Sequence, residues 1–222
     1  MAIIPADEKV FMVDKRTNTT YGGSQALQDM QQWYTMQDVA DSVQPYTVFT
    51  ALITQHGGDD IQNINIGAAG SISPNLVIGV TYTITLNDGG IDFTNVGAPN
   101  NDPGTSFIAT GETPGNQPSG TGADLTFNNG APVATVLENT IGNIWFSYNS
   151  DSAAAINSNG LFNPYKTMSI VALNTEITGP DATLYSVKTI SDSLILVEWY
   201  IPSSDALGTP PLDTPIEIRV YN

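Results

Sequence analysis

Between Tyr46 and Asn222 the chain is a succession of short β-forming segments, each closed by turn residues. The last of them, PIEIRVYN (215–222), alternates strictly: Ile216, Ile218 and Val220 on one side, Glu217, Arg219 and Tyr221 on the other. A period of two is the signature of a strand with one buried face, so the first three are predicted to be core. The same texture runs through TVFTALITQ (47–55), LVIGVTYTITL (76–86), TSFIAT (105–110), DLTFN (124–128) and APVATVLEN (131–139). It continues through NIWFSYN (143–149), KTMSIVAL (166–173), ATLYSVKTI (182–190) and SLILVEWYI (193–201). Gly57-Gly58, Asp88-Gly89, Asn129-Gly130, Asn159-Gly160, Gly179-Pro180 and Pro210-Pro211 punctuate it. Many short strands at regular spacing predict a mainly β fold, an antiparallel β-sandwich or jelly-roll-like domain.

The first 45 residues differ. Residues 1–23 hold an apolar patch (Val10 to Val13), a basic cluster and a polar turn, TNTTYGG. Ser24 is placed to cap a short helix whose apolar positions are Leu27, Met30 and Tyr34, with Trp33 adjoining. Thr35 and Asp38 form a capping box for a second helix, with Met36, Val39, Ala40 and Val43 on one face, ended by Gln44-Pro45. Two such short helices need a partner to be stable. We therefore expect 1–45 to be an anchoring or oligomerising arm with a short α-helical segment, and 46–222 to be the β domain. Within the latter, 56–130 is richer in Gly, Asn, Asp and Pro than its flanks and reads as a loop-rich insertion.

Charge narrows the functions. Lys and Arg number 6 against 22 Asp and Glu, a formal net charge of -16. The first sixteen residues are neutral, since Lys9, Lys15 and Arg16 offset Asp7, Glu8 and Asp14; only Lys166, Lys188 and Arg219 follow. A body so poor in cations is unsuited to nucleic acid or phosphorylated ligands. With no Cys and one His, thiol catalysis and Cys-zinc sites are excluded. The acidic start is not that of a signal peptide, and no apolar run is long enough to span a membrane.

The remaining chemistry is sparse. His56 beside Asp59 and Asp60 could ligate a metal, but the setting TQHGGDD is that of a solvated turn. Asp59/Asp60, Asp88/Asp92, Glu112, Glu138, Glu176 and Glu198 are the carboxylates from which a glycosidase pair would be drawn. None stands in a signature. Glu198, inside LILVEWYI, is read as a rim position or a partner of Arg219 or Lys188. Calcium would find oxygen ligands in NDGGIDF (87–93) and NNDPG (100–104), yet the EF-hand spacing is missing and such Asp and Asn usually cap their own backbone. Trp33, Trp145, Trp199, Tyr200 and Tyr221 could stack on sugars or serve as core. No residue is assigned as catalytic, cofactor-binding or metal-binding, and no cofactor is expected.

The segments TVFTALITQ, APVATVLENTIGNIWFSY, NSNGLFNPYKT and TPIEIRVYN together resemble a module of structural proteins of bacteriophages and environmental viruses. IGVTYTITLNDGGIDFTNVGAPNNDPGTSFIATGETP resembles another recurring phage-type segment, and YGGSQALQDMQQWYTMQDVADSV resembles the start of other virion proteins. The resemblance implies a non-enzymatic component of the particle surface: a spike, head fibre, tail fibre or capsid decoration. It also implies a homotrimer, other virion proteins as partners through the arm, and a host-surface glycan or receptor as a target of the body. A different class, a carbohydrate-binding or carbohydrate-cleaving domain, is told apart by its acids. A hydrolase brings two carboxylates together in an aromatic cleft, whereas a structural protein scatters them.

Overall fold

The computed structural model describes residues 11–14, 19–22, 45–67, 75–88, 90–115, 122–171, 183–201, 206–207 and 211–222. The chain divides into two compact units, Met1–Pro45 and Tyr46–Asn222. In the first, β1 (Phe11–Asp14) pairs antiparallel with β2 (Thr19–Gly22). The polar stretch read as a turn thus supplies a strand, because Thr19, Thr20 and Tyr21 are good β formers. Both expected helices lie outside the described residues.

The second unit is mainly β, in antiparallel sheets. Its strands are β3 (Tyr46–Thr54), β4 (Ile61–Ile66), β5 (Thr81–Asn87), β6 (Ser106–Ile108), β7 (Ala123–Asn128) and β8 (Val133–Asn139). They continue as β9 (Ile144–Ser150), β10 (Ala153–Ser158), β11 (Thr167–Val171), β12 (Leu184–Thr189), β13 (Leu194–Ile201), β14 (Ala206–Leu207) and β15 (Thr214–Tyr221). One sheet has the order β11-β15-β3-β8; another runs β12-β13-β10-β9, with β14 also on β13.

These two sheets share one apolar cluster. Phe49, Ala51 and Ile53 of β3, with Ile216 and Ile218 of β15, come from the first. Phe146 of β9, Ile156 of β10, and Ile195, Val197 and Trp199 of β13 come from the second. The period-two pattern explains the choice: in β15, Ile216 and Ile218 are buried and Val220 packs against the cluster, while Pro215 and Tyr221 are exposed. Trp199, 1% exposed, donates its indole N–H to the Asp151 carbonyl at 3.2 Å, so a large apolar side chain is buried without orphaning its polar atom.

A third sheet, β4-β7-β5-β6, lies between β3 and β8 in the chain and encloses a second cluster around Tyr82, Ile84, Phe93, Phe107 and Leu125. Its point of attachment is a hairpin end. Thr54 of β3 pairs with Val133 of β8, so the segment between them leaves and re-enters the framework at adjacent positions. The neck is clasped by side chains. The Asp60 carbonyl accepts from the Asn129 N–H at 2.9 Å, and the Asp60 carboxylate accepts from the Asn129 amide at 2.7 Å. Asn128 donates to Asp59 at 2.7 Å. Above the neck the third sheet touches the framework through Ile108, among the described residues the one member of the first cluster drawn from this segment. The Phe146 N–H also donates to the Thr81 hydroxyl at 3.1 Å.

Candidate functional site

That last contact defines a corner. β9 is an edge strand of its sheet, and its backbone meets the polar face of the third sheet. β5 buries Tyr82 and Ile84, which turns Thr81 and Thr83 to the opposite face. Register then builds a polar row across the third sheet: Asn63 opposite Thr126, Thr126 opposite Thr83, and Thr83 opposite Ser106. The Thr83 and Ser106 hydroxyls share a hydrogen bond of 2.8 Å. On the β9 side stand Trp145, Ser147 and Tyr148, each half-buried. Between them is a groove of about 240 Å³, lined by hydroxyls, the Asn128 amide, aromatic rings, Ile61 and Ala131, with no charged side chain in its wall among the described residues.

Within this groove Trp145 differs from Trp199. Its ring packs partly against the first cluster, yet its indole N–H has no hydrogen-bond partner among the described residues. Tyr148 donates its hydroxyl to Asp151 at 2.7 Å. That bond first, then partial burial and the negative charges of Asp151 and Asp59, push the phenol pKa up, so Tyr148 stays a neutral donor. A second groove, about 310 Å³, lies where Gly97, Pro99 and Ile108 of the third-sheet segment face Val136, Asn143 and Ile144. Its polar side chains are Thr110, Asn139 and Asn143; Asn139 donates to the Gly142 carbonyl at 2.7 Å and Asn143 to the Ser106 carbonyl at 2.9 Å.

The carboxylates singled out in the sequence are dispersed and used locally. Asp59 and Asp60 clasp the neck, and Asp60 also accepts from Gln62 at 2.7 Å; His56 is exposed beside them. Asp88, Glu112, Glu138 and Glu198 are exposed, and Glu176 lies outside the described residues, as does Trp33. Glu198 is on the outward side of β13, opposite Ser186 of β12 and Ala153 of β10. Arg219 is engaged elsewhere. It pairs with Glu217 and sits 4.8 Å over the Tyr46 ring, with the Tyr221 ring tilted against Tyr46 at 5.4 Å. Tyr200 is exposed.

The two oxygen-rich loops are braced by their own backbone. The Asn87 side-chain Oδ1 accepts from the Ile91 N–H at 3.0 Å, and the Asn101 side-chain Oδ1 from the Phe93 N–H at 2.7 Å. Asn100 accepts from the Asp102 N–H at 3.0 Å and from the Thr105 hydroxyl. Asp92 accepts from the Thr94 hydroxyl at 2.6 Å, the Thr94 N–H at 2.9 Å and the Asn101 amide at 3.3 Å. Among the described residues no three His, Asp or Glu side chains converge to hold an ion. Nor, among them, is any helix long and apolar enough to cross a membrane.

Asp92 carries a pH dependence. The Thr94 hydroxyl, then the Thr94 N–H and the Asn101 amide, lower its pKa below the ordinary Asp value. A depressed folded pKa means the contribution is fully present above the unfolded-state pKa, about 3.9, and is lost as pH falls through the folded value. Asp92→Asn keeps an acceptor oxygen but removes the charge. The variant is expected to be slightly less stable than the parent at pH 7, with the gap closing as pH falls through the lowered pKa of the folded state. Urea midpoints at pH 7 and below that pKa check this; a gap that persists in acid would mean that shape, not charge, is at work.

The groove was not legible in advance, although Trp145 was noted as able to stack on a sugar. Its polar half depends on which Thr and Ser fall on one face after the third sheet has paired. No protein-family model matches the chain, no curated protein matches it, and no solved structure matches it.

Proposed function

We propose that the chain is a non-enzymatic structural component of a virus particle, exposed at the particle surface as a spike, fibre or capsid decoration. In this reading the Met1–Pro45 unit attaches to other virion proteins. The Tyr46–Asn222 unit projects as a β-sandwich of jelly-roll character, serving host attachment or shell stabilisation. The observation that carries the reading is the use made of the carboxylates. The aromatic-walled groove has none in its wall, and Asp59, Asp60 and Asp92 are committed to bracing loops. Glycoside cleavage needs two carboxyls facing one bond, roughly 5–9.5 Å apart, and that arrangement is the feature a hydrolase would display in the groove. The resemblance of the framework strands to phage-type structural modules points the same way and implies a homotrimer. In such an oligomer copies of charge -16 meet through apolar and hydrogen-bonding contacts rather than many ion pairs.

Among the described residues, the members of both apolar clusters lie beyond Pro45. A chain beginning at Tyr46 is therefore expected to fold, unfold cooperatively and fail to enter particles. Mass spectrometry of purified particles, with full-length and truncated chains expressed in turn, tests this. Incorporation of the truncated chain would move the attachment to the β body; the full-length chain's absence from particles would remove the virion reading altogether.

A further inference from the structure

The groove between β9 and the third sheet has the composition of a binding site for an uncharged sugar. We infer that it holds one or two rings of a neutral saccharide, with Trp145 as the stacking platform. This deepens the attachment part of the reading above and rests on it for biological meaning, though the site stands on its own geometry.

Three features select the ligand class. First, no charged side chain lines the groove, in a chain of net charge -16. An anionic sugar would meet no counter-charge and a repulsive field, and a cationic ligand would find no carboxylate in the wall. Second, the wall pairs rings with short neutral donors and acceptors. Thr83, Ser106, Thr126 and Ser147 can each give and take a hydrogen bond, while the Asn128 amide beside them is held by Asp59, Asp60 and Gly130. A pyranose presents the matching surface: C–H bonds on one face and hydroxyls around its rim. A purely apolar ligand would strand these groups. Third, Trp145 is half-buried and its indole N–H has no partner among the described residues, unlike that of Trp199, which is taken. At about 240 Å³ the groove is below the range typical of drug-sized ligands, which fits a short saccharide and a weak, millimolar affinity per site.

The test uses the full-length chain and methyl glycosides of glucose, galactose, mannose, N-acetylglucosamine and N-acetylgalactosamine as probes. Glucuronic acid and N-acetylneuraminic acid serve as anionic comparisons. The indole N–H resonance of Trp145, assigned with Trp145→Phe, is expected to move on addition of at least one neutral glycoside. It is expected to stay put with both acids. Thr83→Val changes a half-buried hydroxyl, bonded to Ser106, to a methyl of the same shape and is expected to weaken binding by about tenfold while lowering the urea midpoint only slightly and keeping the transition cooperative. Trp145→Ala is expected to abolish binding; Thr83→Val guards against a trivial loss through misfolding. If none of the neutral glycosides moves the resonance, or if only the acids do, the assignment is overturned. If sugars bind but Thr83→Val and Trp145→Ala leave the affinity unchanged, the site lies elsewhere and the groove assignment fails. Binding by a chain that does not enter particles keeps the groove and removes the virion role. Incorporation without binding does the reverse.

Discussion

Replacing Gly79 by alanine is expected to destabilise the β body by roughly 3 kcal/mol or more, enough to lower its unfolding midpoint steeply. Gly79 has φ +87°, a conformation that L side chains rarely adopt. A Cβ there would also stand 2.5 Å from the Ala134 carbonyl oxygen and 3.1 Å from a Val133 methyl. Neither neighbour can yield cheaply. The Ala134 N–H donates to the Gly79 carbonyl at 2.9 Å, and the Gly79 N–H donates to the Ala109 carbonyl at 2.8 Å. Gly79 is thus where the backbone of the third-sheet segment is stitched to β8, and a methyl group would force the two apart. Gly57 supplies the control. It too has positive φ, at +78°, but nothing lies within 4 Å of its would-be Cβ. Gly57→Ala should show only the left-handed penalty, about 1–2 kcal/mol. Equal losses at the two positions in urea denaturation would show that the seam at Ala134 is not a packed contact.

The seam also marks where sequence reading reaches its limit. Strands that alternate or are rich in β formers were legible. TVFTALITQ, which alternates poorly but is rich in β formers, became β3, and the alternating PIEIRVYN became β15, with Ile216 and Ile218 buried as the pattern predicts. β4 and β10 were not legible. IQNINI hides its strand behind Asn and Gln, residues that favour turns, and only Ile64 and Ile66 are buried. AAAINS has weak intrinsic β preference; it is held extended by β9 on one side and β13 on the other. Small residues suit it there. Ala153 and Ala155 face away from the cluster and are nevertheless 6% and 7% exposed, shielded by their flanking strands. Tertiary pairing, not local propensity, makes these two strands. The groove was hidden for the same reason. Asn63, Thr126, Thr83 and Ser106 are scattered in sequence and become one row only through register. The loop acids were easier. Asp and Asn in turn-rich segments were expected to serve their own backbone, and Asp92, Asn87 and Asn100 do so.

Excising residues 57–130 and closing the gap with a short Gly-Ser turn is expected to leave a framework that still unfolds cooperatively, at a cost of about 2–5 kcal/mol. Topology makes the excision possible. Thr54 and Val133 are cross-strand partners, so a turn joining β3 to β8 restores an ordinary antiparallel hairpin. Gln55 stays tied to the framework through its N–H to the Pro211 carbonyl at 2.9 Å and its amide to the Ser150 carbonyl at 3.3 Å. Energetics sets the cost. Every member of the second cluster is removed together, so that cluster leaves no half-buried remainder. Among the described residues the first cluster loses only Ile108, and removing one buried Ile side chain from a packed site accounts for most of the estimate. The Phe146 N–H, deprived of the Thr81 hydroxyl, and the Ala134 N–H, deprived of the Gly79 carbonyl, lie on edge strands and can turn to water. The single variant Ile108→Ala should therefore lose nearly as much stability as the excision does. Calorimetry and urea titration of both proteins decide the matter. A broad, non-cooperative transition in the excised chain, beside a mild loss in Ile108→Ala, would mean that the two clusters stabilise each other through the whole seam. In that case the third sheet is an obligatory part of the fold rather than an elaboration of one hairpin.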